Sequence, residues 1–372
     1  MAMTQKQRFL AAVRREQPDV VPVAPLIHCR FAHKVLGRTD WKAVFEVHRM
    51  IGSCHHRGPL GVGWRAQMPD GWHMQSELEE RSGPRCVTRN TLRTPLGELA
   101  ERVVSGFAPG DPIISQPVER MIKRPEDWRL YRAFHQKRLE GFAGYDHAQA
   151  DDAWQVMGED GVASVGLACT LAFIGGARGM QDMLYDLVDH PDLMESVRRT
   201  LFADIERSVE SFLDSRAQVA WYDICWATGA NMGPAMFHKW CLPEVQRVTE
   251  LAHSKPGKYM GLYTLGKVRK LLPALVDAGV DFIETFEPNQ GDIALAEARR
   301  LYGRRTCLMG NFNCVVLARG TVPEARAEAR RCLREGMGGG GYVMVTADEV
   351  PADTRLENLR AMVETVQEHG RY

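Results

Sequence analysis

One acidic residue, Asp223, lies between two apolar residues of this 372-residue sequence, where a buried charge without a partner is costly. Two further carboxylates, Glu284 and Glu287, flank residues 285–286 and are candidates for a functional role. A carboxylate held in such a place can act as a general acid or base, so we predict a catalytic role for Asp223. Glu284 and Glu287 are also compatible with caps of a loop, and this alternative stays open.

The elements that would position these residues alternate regularly in the second half of the chain. We predict strands within 163–173, 219–225, 259–263, 282–286, 307–311 and 342–346. Helices are predicted near 180–213, 234–254, 267–278, 293–302, 322–336 and 356–368. Consecutive βα units of this kind indicate parallel strands joined by right-handed crossovers. The first residues, 1–19, predict an amphipathic helix that Thr4 caps.

A doubly wound sheet and a barrel both satisfy this alternation. The Gly-x-Gly-x-x-Gly match at 336–341 follows a helix and precedes a strand, which is the reverse of what phosphate binding needs. We therefore predict an α/β fold of the (β/α)8 TIM-barrel class. Residues 1–372 are expected to form a single domain, with 40–150 as irregular insertions around the barrel mouth and a hairpin that turns at 95–97.

In a barrel, chemistry takes place at the carboxyl ends of the strands. The candidates there are His28, Arg30, Cys169, Thr170, Phe173, Tyr222, Asp223, Cys225, Trp226, Tyr263, Lys267, Glu284, Glu287, Asn311, Asn313, Thr346 and Asp348. His28 is equally compatible with a hydrogen-bonded residue that closes a strand. Adjacent residues rarely ligate one structural zinc ion, so we interpret Cys54-His55-His56 as a solvated loop.

Composition excludes several classes of partner. Lys plus Arg number 47 and Asp plus Glu number 47, so no net positive field favours nucleic acid or an anionic membrane. The longest uncharged apolar run, 162–177, is shorter than the roughly 20 residues of a membrane helix. No secretory signal is evident, and the nine cysteines contain no Cys-x-x-Cys pair, which favours a reducing cytoplasm.

Several stretches, taken in their order and spacing, resemble the uroporphyrinogen decarboxylase superfamily from residue 4 to about residue 368. They are TQKQRFLAAVRREQPDVVPV, TPLGEL, ERMIKRPEDW, LYDLVDHPDLMESV, GPAMFHKWCLPEVQRVTELAHSKPGK, LVDAGVDFIE, LMGNFN and VPADTRLENLRAMVETV. The resemblance implies a (β/α)8 barrel, often homodimeric. It also implies one of two activities: cofactor-free decarboxylation of uroporphyrinogen, or zinc-dependent methyl transfer involving corrinoid proteins and thiols.

This sequence departs from both activities of the superfamily. The His-x-Cys and later Cys that bind zinc in the methyltransferases are replaced by Tyr263, Leu265 and Asp348. The Met-Arg-Gln-Ala-Gly-Arg run of the decarboxylases is absent, although Arg30 suits a carboxylate. The early Asp of the decarboxylases is missing near 52–58, and Asp348 stands roughly where they have a histidine.

The overall pattern lies closer to the methyltransferase branch. We therefore expect transfer of a methyl group from a small methylated substrate to a corrinoid or tetrahydrofolate acceptor, with a separate corrinoid protein as a potential partner. The alternatives are a decarboxylase of a carboxylated small molecule or tetrapyrrole, and a non-catalytic binding protein on the same barrel. The chain lacks an Asp-x-His-x-x-Gly corrinoid signature, which argues against its holding a corrinoid by itself.

Residue roles follow from this hypothesis. The catalytic residues are predicted to be Asp223, Tyr263 and Asp348. The substrate is predicted to contact His28, Arg30, Phe173, Tyr222, Trp226 and Asn311. If a divalent metal such as zinc is bound, its ligands are expected to be His28, Glu284 and Asp348, which form a hard-ligand set.

Overall fold

The structure is a computed structural model that describes residues 2–56, 60–108, 111 and 113–372. The chain forms two compact units. The first comprises Met1–Val62, His147–Leu167 and Phe212–Tyr372, and the second comprises Gly63–Asp146 and Ala168–Ser211. Residues 40–62 were predicted among the insertions but belong to the first unit. The description of 1–372 as a single domain stays a prediction.

The strands are β1 (Gly63–Ala66), β2 (His73–Ser82), β3 (Arg85–Thr94), β4 (Gly97–Ser105), β5 (Ser115–Glu119), β6 (Phe142–Asp146), β7 (Ser164–Ala168), β8 (Val219–Asp223), β9 (Tyr259–Tyr263), β10 (Phe282–Thr285), β11 (Cys307–Gly310) and β12 (Tyr342–Val343). The helices are α1 (Gln5–Val13), α2 (Cys29–Leu36), α3 (Trp41–Ile51), α4 (Asp127–Glu140), α5 (Ala148–Met157), α6 (Thr170–Arg178), α7 (Met180–Asp189), α8 (Pro191–Asp214), α9 (Pro234–Trp240), α10 (Leu242–His253), α11 (Leu272–Asp277), α12 (Leu295–Tyr302), α13 (Cys314–Arg319), α14 (Val322–Gly336) and α15 (Leu356–His369).

The first unit is built round a sheet with the strand order β12-β11-β10-β9-β8-β7. The pairs from β8 to β12 are parallel, as the βα alternation predicted. Two short extended segments complete the ring. Ala24 donates to the Met344 carbonyl at 2.9 Å, Cys54 donates to the Val23 carbonyl at 2.8 Å, and Val162 donates to the His55 carbonyl at 2.8 Å. The predicted TIM-barrel fold is thus confirmed.

The helix α1 supplies part of the barrel core. Its N-cap Thr4 forms a capping box with Gln7, so the predicted cap is confirmed, and the helix ends at Val13. Phe9 and Val13 join one apolar cluster with barrel-lining side chains, among them Phe282. Burying each such side chain contributes about 1.5–3 kcal/mol, so α1 helps to hold the ring of strands together.

The second unit contains two antiparallel sheets. One has the order β2-β3-β4-β5, and β1 pairs with β6 in the other. Thr94 pairs with Gly97 across the turn between β3 and β4, which confirms the predicted hairpin. Trp128 is fully buried and its indole N–H donates to Asp186 at 2.7 Å, which fixes α4 against α7.

Other predicted elements differ in detail. The helical stretch predicted at 180–213 is divided into α7 and α8, and the one at 234–254 is divided into α9 and α10. The last predicted strand is reduced to β12, Tyr342–Val343. Among the described residues, no helix has the length and apolar character that a membrane crossing requires.

Candidate active site

Four residues on neighbouring barrel strands lie in register. Asp223 of β8 is level with Tyr263 of β9, Tyr263 with Glu284 of β10, and Glu284 with Met309 of β11. Side chains at the same level of a parallel sheet point to the same face. Tyr263 and Met309 belong to the apolar cluster that lines the barrel, so this row faces the barrel interior. The fold thus brings together Asp223, Tyr263 and Glu284 near the carboxyl ends of their strands.

A phenol and a carboxylate meet at the barrel mouth. The Tyr263 hydroxyl donates to Asp348 Oδ1 at 2.6 Å, and the backbone N–H of Glu349 donates to the same oxygen at 2.7 Å. Tyr263 is only 6% exposed, so packing holds its ring in place. Two predicted catalytic residues that are far apart in sequence are therefore direct partners. Such a pair can hold and deliver a proton at one point of the mouth.

A second polar pair lies deeper in the barrel. His56 Nε2 hydrogen-bonds to Glu284 Oε1, and both side chains are fully buried. The imidazole ring lies 4.5 Å from the ring of Phe9 and 5.6 Å from that of Phe282, measured between centroids. Glu284 is therefore not a loop cap, because its carboxylate reaches across the barrel to the short strand that contains His56.

The interpretation of Cys54-His55-His56 as a solvated loop is wrong. All three residues are fully buried. Their backbone forms the barrel strand between residues 20–27 and β7, and so they are covered on both faces. A strand of so few residues shows no periodicity, and sequence analysis missed His56 for that reason.

His55 lies on the other face of this strand, against α3. Its ring centroid is 5.1 Å from that of His48 and 6.0 Å from that of Phe45. Burial lowers the pKa of His55 to about 3, and it lowers the pKa of His48 well below its usual value. Both imidazoles are therefore neutral at ordinary pH.

The backbone after Glu284 is strained. Thr285 has φ of 92° and Phe286 has φ of 46°, a region that residues with a Cβ seldom occupy. The Thr264 hydroxyl donates to the Glu284 carbonyl at 2.9 Å, and the Thr285 hydroxyl donates to the Thr264 carbonyl. Such strain costs about 1–3 kcal/mol per residue and is concentrated at functional sites, which supports a functional role for this end of β10.

Charged side chains form the rim above these pairs. Glu349 lies 4.0 Å from His28 Nε2 and 3.7 Å from Arg30 Nη1. His28 also contacts the thiol of Cys29 at 3.0 Å through Nδ1. The side chains of His28, Arg30 and Glu349 are 31–38% exposed, so a ligand can reach them. Sequence analysis identified His28 and Arg30 but missed Glu349.

The carboxylate of Asp223 shapes the loop after β8. Its Oδ1 accepts a hydrogen bond from the Cys225 backbone N–H at 2.8 Å. This contact starts the short 3-10 helix Cys225–Ala227, in which Trp226 is partly exposed. Asp223 therefore lies level with Tyr263, as predicted, while one of its oxygens is used to hold the loop that carries Trp226.

Two predicted substrate contacts have structural roles instead. Side chains alternate along a strand, so Tyr222 points away from the barrel interior that Asp223 faces. Its hydroxyl donates to Glu244 Oε2 on α10 at 2.9 Å. Asn311 is buried and donates to the Phe286 carbonyl at 2.9 Å, while its Oδ1 accepts from Arg331 at 3.0 Å. Tyr222 and Asn311 are therefore structural residues outside the site.

Phe173 is the remaining predicted contact. It lies on α6 in the second unit and is 46% exposed. The barrel site described above belongs to the first unit. The role of Phe173 in substrate binding therefore stays a prediction.

The proposed metal ligands His28, Glu284 and Asp348 are not brought together. His28 faces Glu349, Glu284 bonds to His56, and Asp348 bonds to Tyr263. Within residues 2–56, 60–108, 111 and 113–372, no three His, Cys, Asp or Glu side chains are grouped as a metal site requires. Leu265 offers no donor atom, so the residues at 263, 265 and 348 do not fit a thiol-activating zinc ion.

A closed ring of parallel strands with polar side chains at their carboxyl ends defines the chain as a TIM-barrel protein with its site in the usual place for this fold. The sequence pattern of the family described as Uroporphyrinogen decarboxylase (URO-D) matches residues 149–369. The chain belongs to that family.

Known relatives agree with this assignment. The chain is 24% identical to uroporphyrinogen decarboxylase from Neisseria meningitidis serogroup B over 207 residues, which is 55% of this chain and 56% of that protein. It is 26% identical to the enzyme from Cupriavidus necator over 212 residues, again 55% of this chain and 56% of the relative. The chain thus spans about half the length of the curated relatives it matches.

One solved structure resembles nearly the whole chain. It is a methyltransferase from Methanosarcina mazei, with a TM-score of 0.65 and 16% sequence identity over 98% of this chain and 99% of that one. At this level of identity the likeness shows the shared fold.

Proposed function

We propose that this protein is an enzyme that transfers a methyl group from a small O- or N-methylated substrate to a corrinoid or tetrahydrofolate acceptor. The observation that carries the proposal is the Tyr263–Asp348 pair at the barrel mouth. Methyl transfer from an ether or amine needs a proton for the leaving atom. Of the three positions that bind zinc in the resembling methyltransferases, two here hold a phenol and a carboxylate, which suit proton delivery rather than thiolate activation, and the third holds Leu265.

The proposed step transfers one methyl group and one proton. The acceptor's electron pair forms a bond to the methyl carbon, and the carbon–oxygen bond breaks with its electrons left on oxygen. Tyr263 delivers its hydroxyl proton to that oxygen, and Asp348, which accepts from the phenol in the structure, holds the hydroxyl in place beforehand. Solvent at the partly exposed rim then returns a proton to the phenolate of Tyr263, so that the leaving group departs neutral and the phenol is restored.

Decarboxylation is the second candidate. The family relatives that we found are uroporphyrinogen decarboxylases, and Arg30 lies at the rim with a partly exposed acidic neighbour, Glu349. A substrate carboxylate could displace Glu349 from Arg30, because an exposed ion pair contributes only about 0–1 kcal/mol. In that reaction, Tyr263 would protonate the carbon from which carbon dioxide departs.

The discriminating experiment supplies both kinds of substrate. Purified protein is incubated with methyl ethers and methylamines together with cob(I)alamin or tetrahydrofolate, and methylcobalamin or methyltetrahydrofolate is measured. Parallel reactions with carboxylated analogues are assayed for carbon dioxide. We expect a methylated acceptor and no carbon dioxide. Carbon dioxide release without methyl transfer would establish the second candidate instead.

The role of Tyr263 is tested by Tyr263→Phe. Loss of a positioned acid lowers kcat by about 10²–10⁴-fold, and the loss should be largest for substrates with poor leaving groups. Tyr222→Phe is a matched control, because it removes a phenol–carboxylate hydrogen bond from the neighbouring strand on the face away from the site. We expect Tyr222→Phe to keep the wild-type rate. A Tyr263→Phe enzyme with wild-type kcat on every leaving group would contradict the mechanism.

A further inference from the structure

A cavity lies beside the barrel mouth, where the loops after three successive strands meet. Its volume is about 480 Å³, which is within the range of about 300–1,000 Å³ that is typical of ligand pockets. Its lining comes from residues 229–234 after β8, from Lys267, Lys270 and Leu271 after β9, and from Asp292 after β10. These loops follow the carboxyl ends of their strands, so the cavity opens on the same end of the barrel as Tyr263.

Hydrogen bonds hold the walls of this cavity in place. Gly229 donates from its backbone N–H to the Lys267 carbonyl at 2.8 Å. A Cβ at position 229 would lie 2.9 Å from that carbonyl oxygen, so the two loops approach closely only because residue 229 is glycine. Asp292 Oδ1 accepts from the backbone N–H groups of Val268 and Arg269 at 2.8 and 2.9 Å. The loop that carries Lys267 and Lys270 is thus fixed from both sides.

Two lysine side chains give the edge of this cavity a positive charge. Lys267 and Lys270 both line it, and both are exposed. Neither forms an ion pair with any residue in the described part of the chain. The acidic residue that lines the cavity, Asp292, has one oxygen occupied by two backbone donors. Two ammonium groups on a rigid wall suit an oxyanion.

We propose that this cavity binds an oxyanion carried by the methyl acceptor, through Lys267 and Lys270. This assignment rests on the proposed function, because it takes the bound oxyanion to be part of the methyl acceptor, which is the second substrate of the reaction. A corrinoid with its nucleotide loop carries a phosphodiester, and a folate carries glutamate carboxylates. Either group would lie in the cavity while the reactive part of the acceptor reaches towards Tyr263.

The test measures binding directly, without turnover. Isothermal titration compares cobalamin with cobinamide, which lacks the phosphodiester, and tetrahydrofolate with its triglutamate form. Inorganic phosphate is titrated alone and as a competitor. We expect cobalamin to bind more tightly than cobinamide, or the triglutamate more tightly than the monoglutamate, and whichever pair differs identifies the source of the oxyanion. Phosphate should compete with the tighter ligand, and added salt should weaken it.

Charge-neutralising variants locate the site. Lys267→Gln and Lys270→Gln should each weaken the tighter ligand about fivefold and the double variant about 25-fold, as expected for solvated charges close to an anion. Lys239→Gln is the matched control: it makes the same charge change on α9 but lies outside the cavity lining, and it should bind as wild type. Circular dichroism and the melting temperature verify that each variant is folded.

The outcomes separate this proposal from the proposed function. If the double variant loses oxyanion binding but the wild-type protein transfers no methyl group, the cavity assignment stands and the methyltransferase proposal fails. If methyl transfer occurs but cobalamin, cobinamide and both folates bind the double variant as they bind wild type, the cavity assignment is overturned.

Discussion

His55 and His56 are neighbours in the chain, both fully buried, and yet their surroundings differ completely. His56 points into the barrel and hydrogen-bonds to the Glu284 carboxylate. His55 points towards α3, and neither of its ring nitrogens has a hydrogen-bond partner within the described part of the chain. One strand thus carries a paired imidazole on one face and an unpaired one on the other.

The comparison shows how a carboxylate partner changes what a buried imidazole contributes. Burial disfavours the charged form of any histidine, and it lowers the pKa of His55 to about 3 although backbone groups of Val162 and His55 act in the opposite direction; the neighbouring His56 lowers the pKa further. A paired imidazole can exchange a proton with its partner, whereas an unpaired one stays neutral until the pH is very low. The inner face of the strand is therefore suited to chemistry, and the outer face is a source of acid sensitivity.

The largest loss in the free energy of unfolding is expected from Glu284→Ala. This change removes the partner of a fully buried imidazole and opens a cavity inside the barrel. Breaking a buried pair in this way costs about 3–5 kcal/mol in the free energy of unfolding. Urea denaturation followed by tryptophan fluorescence measures it.

Glu349→Ala is the control for that change. It removes a carboxylate from a rim pair with 31–38% exposed side chains and should alter the free energy of unfolding by no more than about 1 kcal/mol. Equal losses for the two variants would show that the His56–Glu284 pair contributes no more to stability than a surface contact.

The second effect concerns the pH dependence of stability. The pKa of His55 is lowered from its ordinary value to about 3, so between these values the unfolded chain binds a proton at His55 that the folded chain does not. The free energy of unfolding therefore falls as the pH falls, by about 2 kcal/mol between pH 7 and pH 5 for this one group. His48, whose pKa is lowered too, acts in the same direction.

His55→Leu should remove this share of the pH dependence. Chemical denaturation at several pH values should give a shallower decline than in wild type, and stability at pH 7 should change little because no hydrogen bond is lost. His369→Leu, at the exposed end of α15, is the comparison and should keep the wild-type decline. A His55→Leu protein as acid-sensitive as wild type would refute the assignment.

The smallest effect is expected for chemical labelling of Cys54, which lies on the strand of His55 and His56 and lines the barrel. Burial raises the pKa of its thiol to about 12, and reaction with iodoacetamide requires the thiolate. We expect Cys54 to stay unlabelled in the native protein at pH 8, while the partly exposed Cys86 on β3 is labelled. Mass spectrometry of the digested protein measures both, and urea should make Cys54 reactive. Rapid native labelling of Cys54 would mean that this strand opens readily.

Most of the barrel could be predicted from periodicity. The strands β8, β9 and β10 lie within a residue or two of the predicted runs, because each is a short apolar segment bounded by helix ends. The strand before His28 was also expected from its apolar run, VPVAPLI, whereas the strand at 53–56 could not be identified in this way. It is held by isolated hydrogen bonds to its neighbours and is too short for a repeating pattern.

The site was predicted in part, and the reason lies in the direction of the side chains. Tyr263 and Asp348 were identified because both follow predicted barrel strands, and the fold brings them to 2.6 Å. Tyr222 was placed in the site wrongly, because it is adjacent to Asp223 but faces outward. Glu284 was placed at a strand end with a loop cap as the alternative, and its partner His56 was interpreted as a loop residue.

The sequence by itself determined the alternation of strands and helices, the capped first helix, the family and the residue types at the barrel mouth. These depend on local patterns, on hydrophobic periodicity and on the order of short motifs. Only the tertiary structure decided which residues are partners: Tyr263 with Asp348, His56 with Glu284, and Arg30 with Glu349. The reason is physical, since closing a ring of strands brings together side chains as distant in sequence as Arg30 and Glu349, and no local rule encodes those contacts.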